Sequence, residues 1–265
     1  MEMAAMPASF WGGVGYTWEH FSPLLLRGAG ITLLVALTGT IIGFLIGLVI
    51  GVVRTIPIEP GDGFLKKGLL KIVNFFLLAY IEVFRGTPMM VQAMVIYFGV
   101  AQFYNIHLEP ISAGIFIVSI NTGAYMAEIV RGGIISIDNG QFEAAHSIGM
   151  SHTQTMASII LPQAIRNILP PLSNEFVINI KDTSVLNVIA VTEIFFQAKT
   201  IAGATFRFFE PFFVASIIYF IMTFTTTRIL RMMEKRLEGP DVYMIHGSQS
   251  VPEAVIKVVD RGEKR

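Results

Sequence analysis

The chain contains no cysteine. Disulfides are therefore excluded, as are zinc or iron–sulfur sites built on thiolates. Charge is scarce as well: Asp, Glu, Lys and Arg make up 14% of its 265 residues, where soluble proteins carry about 25%. Nineteen basic residues balance nineteen acidic ones, so no strongly basic surface points to nucleic acid. No G-x-x-x-x-G-K-[ST] phosphate loop occurs; Gly63 and Gly68 have the spacing, but Leu69 follows where Lys is needed. The chain itself is therefore not expected to bind or hydrolyse ATP. It also lacks an H-E-x-x-H zinc pattern and a Ser/His/Asp arrangement. His146 and His152 stand six apart, off the helical spacing of a metal pair.

Apolar residues fill the space that charge leaves, at 53% of the chain. The 24 glycines and 12 prolines fall largely within apolar stretches, which membrane helices tolerate when neighbouring protein satisfies the freed backbone groups. A helix needs about 20 apolar residues to cross about 30 Å of hydrocarbon. Residues 31–53 meet this without a charge. Residues 69–104 are too long for one straight span, and Arg85-Gly86-Thr87-Pro88 interrupts them, so an interfacial lead-in, a break and then a span are expected. Residues 111–135 form a third span, 168–197 an irregular fourth broken at Pro170-Pro171 and Lys181-Asp182-Thr183, and 211–233 a fifth. The fold expected is all-α, with about five transmembrane helices.

Residues 1–26 have no basic region ahead of an apolar core, so they do not read as a cleaved signal peptide. Phe10, Trp11, Tyr16, Trp18 and Phe21 fit an aromatic segment at a membrane interface, the alternative being a loosely ordered lead-in. Five spans put the termini on opposite sides. With the N-terminus outside, Arg54, Lys66, Lys67, Lys71, Arg131, Arg166 and everything basic from Arg228 onward fall inside, against Arg27, Lys199 and Arg207 outside. The positive-inside rule favours that orientation. It makes the polar stretch 136–167 cytoplasmic, together with a polar tail over 237–265.

That stretch carries Glu143-Ala144-Ala145, three residues, Gly149, nine residues, then Ile159-Ile160-Leu161-Pro162. Glu143-Ala144-Ala145 favours a short helix, Gly149 permits a turn that a Cβ would resist, and Pro162 starts the return. The pattern resembles the EAA loop of permeases from binding-protein-dependent bacterial ABC importers. Four further segments resemble the polar amino acid uptake branch: Tyr80 to Pro88, Asn121 to Tyr125, Glu128 to Ile134 and Lys181 to Ser184. The resemblance covers residues 27–236, which it implies are one type I importer transmembrane domain. It further implies a multi-pass plasma-membrane protein working as a pair of permease copies, identical or closely related. The partners implied are an ATPase dimer, which binds ATP and Mg and docks on the loop, an external amino-acid-binding protein, and membrane lipid. The cargo implied is a polar amino acid: glutamine, glutamate or a basic one. An opine or a sulfur-containing amino acid is the alternative, and a channel needing no motor a more distant one. Glu143, Ala144, Ala145, Gly149 and Pro162 are the expected coupling residues.

Substrate contacts are expected where polar groups sit at membrane depth, since such groups are costly there and face cavities. Thr87 and Pro88 read as N-cap and first residue of a helix starting inside the membrane, whose free N–H groups suit a carboxylate. Asn121, Tyr125 and Glu128 share one stripe of their helix. Gln92 is a candidate reader of the side chain and Asp182 of the ammonium, with Asp182 or Thr183 capping the next segment. Each has a structural alternative: Thr87 as a cap alone, Asn121 as a link between helices, Asp182 paired with Lys181 or Arg85. Glu128 and Arg131 are expected to form a structural ion pair.

Overall fold

The computed structural model describes residues 7–58, 61 and 63–237. The expected polar tail lies outside the described residues, apart from the backbone of Leu237. Every regular element among them is helical: α1 (Phe10–Val53), α2 (Phe64–Gly86), α3 (Met89–Tyr104), α4 (Pro110–Ile135), α5 (Asn139–Ser147), α6 (His152–Thr155), α7 (Leu161–Asp182), α8 (Ile194–Thr205) and α9 (Phe209–Leu237). A π-helical turn, Met156–Ile160, joins α6 to α7, and a 3-10 helix, Thr183–Ile189, extends α7.

Among the described residues three helices, α1, α4 and α9, are long and apolar enough to span a membrane, and the pair His152–Ile189 and Ile194–Thr205, bent by 52°, makes up to four when counted as one span. The expected second span is divided at Thr87–Pro88 between α2 and the short apolar α3. At 1.5 Å per residue the 44 residues of α1 run about 66 Å, twice the hydrocarbon thickness, so α1 extends well beyond the bilayer. Its first turns are not a loose lead-in. Ser9 caps them, its hydroxyl accepting from the Gly12 amide at 3.2 Å. The Phe10 ring then lies 5.3 Å from those of Phe209 and Phe213 on α9.

Lipid tails are as apolar as leucine, so helices in a membrane associate through close packing more than through hydrophobic gain. Gly39, Gly43, Gly47 and Gly51 recur every fourth residue on one face of α1. Opposite them on α4 stand Val118, Thr122, Met126 and Val130. A Cβ added to those glycines would meet side-chain atoms of these four at 2.5, 2.7, 2.2 and 2.7 Å respectively. The two backbones therefore touch along the whole column. Asn179 brings α7 onto this pair, its amide donating to the hydroxyls of Thr40 at 2.8 Å and Thr122 at 3.0 Å.

Glu109 caps α4, accepting from the Ser112 amide at 2.6 Å and the Ile111 amide at 3.0 Å. Those two bonds hold its carboxyl below the usual carboxylate range. Fully buried Glu193 caps α8, accepting from the amides of Phe195 and Phe196, and the Tyr219 hydroxyl of α9 donates to the same carboxylate.

Candidate functional site

The loop 136–167 is a built object. Asp138 caps α5, accepting from the Gly140 amide at 2.6 Å. The helix closes when the Gly149 amide donates to His146 O at 3.0 Å and the Met150 amide to Ala145 O at 3.1 Å. These are the two bonds of a Schellman closure, which places its C′ residue in the left-handed region. Gly149 is there, at φ +82°. Ser151 and Gln154 then form a reciprocal capping box for α6. The Asn167 amide donates to Ser136 Oγ at 2.9 Å and ties the loop's two ends together.

Glu143, Ala144 and the 77% exposed Ile148 face outward. The two alanines do not share a role as small residues against a partner. Ala145 is 1% exposed and packs inward, because the α5 face it occupies lies against the loop's own core. Pro162 does not begin a new helix after a turn. It sits inside a continuous helical run, just after the π turn, in which the Leu161 amide reaches back to Met156 O. Widening the helix there relieves the clash a proline ring makes with the carbonyl four residues earlier.

A Gly149→Ala substitution forces a Cβ into the left-handed region, at about 1–2 kcal/mol. Nothing lies within 4 Å of the new atom, so the cost is conformational. Hydrogen exchange at Met150 should accelerate by about five- to thirtyfold, the equivalent of that free energy, while α1 and α4 exchange as before.

At membrane depth the structure gathers Thr87, Gln92 and Asn121. The Gln92 amide donates to Thr87 Oγ1 at 2.8 Å, Thr87 O at 2.9 Å and Phe84 O at 2.9 Å. The Asn121 amide donates to Gln92 Oε1 at 2.9 Å and to Phe84 O at 3.2 Å. This set satisfies the carbonyls that the end of α2 leaves open and latches the α2–α3 break to α4. Two expectations are corrected by it. Thr87 is the C-cap of α2, and Pro88 occupies the N-cap position of α3. The Thr87 hydroxyl donates back to Val83 O at 2.7 Å, since it faces the turn it terminates. Gln92 is 7% exposed and curls back onto Thr87, with its amide donating to the helix break. Asn121 Oδ1 accepts no hydrogen bond among the described residues.

Asp182 stands apart from that latch. Neither it nor Thr183 caps the 3-10 helix: the backbone runs on from α7 in helical geometry, and the Thr183 hydroxyl donates to Ile180 O at 3.0 Å. Among the described residues Asp182 pairs with neither Lys181 nor Arg85. One helix face further down, at i−7, lies Glu175, 8% exposed and without a hydrogen bond or ion pair among the described residues. It is within electrostatic reach of both Asp182 and Arg85. Arg85 itself sits over the Tyr125 ring, 5.4 Å from its centre. Sequence reasoning overlooked Glu175, although its seven-residue spacing from Asp182 was readable. Glu128 does form the expected ion pair, at 2.9 Å to Arg131, and a second one with Arg54.

Apolar helices of spanning length, an exposed capped loop and ionisable side chains without ion pairs among the described residues are the features of a membrane transport subunit, and the family match assigns that class. Residues 63–239 match the family of binding-protein-dependent transport system inner membrane components, and the chain belongs to it. It is a multi-pass inner-membrane protein with the type I importer permease fold. The glutamine transport system permease protein GlnP of Escherichia coli is 40% identical over 217 residues, 82% of this chain and 94% of that protein. The arginine transport system permease protein ArtQ of Bacillus subtilis is 32% identical over 219 residues, 83% and 94%. The L-cystine transport system permease protein TcyB of the same organism is 32% identical over 231 residues, 85% and 93%. The crystal structure of an amino acid ABC transporter with histidines superposes at a TM-score of 0.73 with 38% identity, covering 87% of this chain and all of that one. The inward-facing MetNI methionine transporter, at 17% identity and a TM-score of 0.70, shares the fold.

Proposed function

We propose that this chain is the membrane subunit of an ATP-driven importer of polar amino acids. It works as a pair, with its N-terminus outside and the loop 136–167 on the cytoplasmic side. The observation that carries this reading is the cluster of Arg85, Glu175 and Asp182, three ionisable side chains without ion pairs among the described residues. A charge in hydrocarbon costs about 2.5–3.5 kcal/mol on insertion scales, so these groups belong to a water-filled path between two copies, where a zwitterion can complete them. Asp182 and Glu175 suit an ammonium or a second cationic group of the cargo. Arg85 and the first-turn N–H groups of α3 suit its carboxylate.

ATP and Mg are held by a separate ATPase dimer that seats against α5. Glu143 offers it a charge, while Ala144 and Ile148 offer an uncluttered apolar surface. An external binding protein delivers the cargo. The relatives named for glutamine and arginine transport support a polar cargo, and the one named for L-cystine supports a sulfur-containing amino acid as the second reading.

The test is ATPase activity of the assembled complex in lipid nanodiscs with its binding protein, each of the twenty amino acids added in turn. Stimulation by one or a few polar amino acids is expected. No stimulation by any of them would sink the amino-acid assignment and leave the family standing. In the same assay Glu143→Lys should abolish cargo-stimulated hydrolysis and uptake while the permease still folds; intact coupling in that variant would remove Glu143 from the interface.

A further inference from the structure

A groove of about 260 Å³ runs between α1, α7 and α9. Ile41 and Phe44 form one wall, Leu172 and Phe176 a second and Met233 a third. One carboxylate, Glu234, lines it too. Glu234 is half-buried and has no hydrogen bond or ion pair among the described residues. The chain crosses in the bent α7–α8 unit and returns in α9, so Leu169 and Glu234 share one end of the groove. Exposed Arg166 lies one helical turn before Leu169. That end of the apolar slot therefore carries a carboxylate, with an exposed guanidinium one helical turn beyond Leu169 on α7.

We propose that this groove is a binding site for an aminophospholipid. One acyl chain fills the slot, the headgroup ammonium meets Glu234, and the phosphate meets Arg166. The headgroup must decide occupancy, because an acyl chain gains little by leaving other lipid tails for walls of Leu and Phe. A guanidinium matches phosphate geometry. The Glu234 carboxylate gives an ammonium-bearing headgroup a partner that a purely anionic one lacks, while exposed Arg231, Lys235 and Arg236 on the same helix end add to the pull on the phosphate. No part of this depends on which solute is transported.

The test is native mass spectrometry of the intact transporter after equilibration in nanodiscs of equal phosphatidylethanolamine and phosphatidylglycerol with identical acyl chains. One phosphatidylethanolamine per permease chain should be retained, favoured at least tenfold over phosphatidylglycerol. Ser173→Trp, which fills the slot, should remove that lipid. Glu234→Lys, at the lip, should reverse the preference without filling anything. Equal retention of the two lipids, or wild-type ratios in both variants, overturns the proposal. The absence of cysteine makes a single Phe44→Cys informative. A disulfide between copies through that residue would assign the groove to a helix of a second copy instead. A tenfold rise in lipid retention after removal of residues 238–265 would assign it to the chain's own tail.

Discussion

Gly47→Ala should break the permease, although it adds one methyl group in a helix that favours alanine. The new Cβ would lie 2.2 Å from Met126 Cβ, 2.7 Å from the Ala127 nitrogen and 2.7 Å from the Met126 carbonyl carbon. None of these is the end of a flexible side chain that can swing away. Ordinary contact begins at 3.4 Å, so α1 and α4 must part by about 1 Å and loosen the contacts above and below. Overpacking of this kind costs about 1–3 kcal/mol and occasionally more. Here it acts on the central helix pair, and the thermal midpoint of the detergent-solubilised protein should fall by several degrees or the monodisperse peak should vanish. Gly30→Ala is the matched control on the same helix, with nothing within 4 Å of the added atom. It should be neutral or stabilise by up to about 1 kcal/mol through helix propensity. Equal behaviour of the two variants would remove the glycine column from the account of this fold.

Glu175→Gln and Asp182→Asn should each raise the KM for uptake about 10- to 100-fold, the range expected from losing a charged hydrogen bond of about 1.5–3 kcal/mol. Both substitutions keep the shape of the side chain. Neither carboxylate has a partner among the described residues to be orphaned, so thermal stability should hold and the ATPase activity without cargo should persist. Gln92→Ala should behave in the opposite way. It removes the amide that holds Thr87 and Phe84, so stability should fall before any selectivity changes. Should uptake stay at wild-type KM in both carboxylate variants, selection would rest on the external binding protein alone, with an unselective path through the membrane.

Most of the architecture was legible because its signals are local. Long apolar runs marked the spans, Pro88 marked one interruption, and the Glu143–Pro162 spacing marked the loop; the breaks expected at Pro170-Pro171 and Lys181-Asp182-Thr183 are absent, because the helix runs through both and the chain bends only after Ile189. Gly149 was readable as a turn because so few residues tolerate positive φ. The hidden part depends on where side chains turn in three dimensions. Thr87 before Pro88 carries the local signature of an N-cap, yet its hydroxyl faces the helix behind it. Gln92 is turned away from Thr87 on an ideal helix, and only the break lets its amide fold back. Ala144 and Ala145 are identical in type and adjacent in sequence, and the packing of α5 alone separates an exposed one from a buried one. The glycine column and the seven-residue interval from Glu175 to Asp182 were both present as spacings. Their meaning required a partner: α4 for the first, and Arg85 on α2 for the second.

The seamless contact between α1 and α4 also sets how the molecule can work. Two backbones that touch at four successive turns have no side-chain layer to slide on, so they travel as a single strut. Freedom to rearrange is left to the joints outside that strut. One is Thr87–Pro88, spliced by the Gln92 and Asn121 amides. The other is the stretch after Ile189, where Ala190 takes a left-handed conformation at φ +63° and the chain bends by 52°. Arg85 stands just before the first of these joints, and Asp182 lies at the start of the 3-10 helix that leads to the second, so hinge motion at either joint changes the distance between the two.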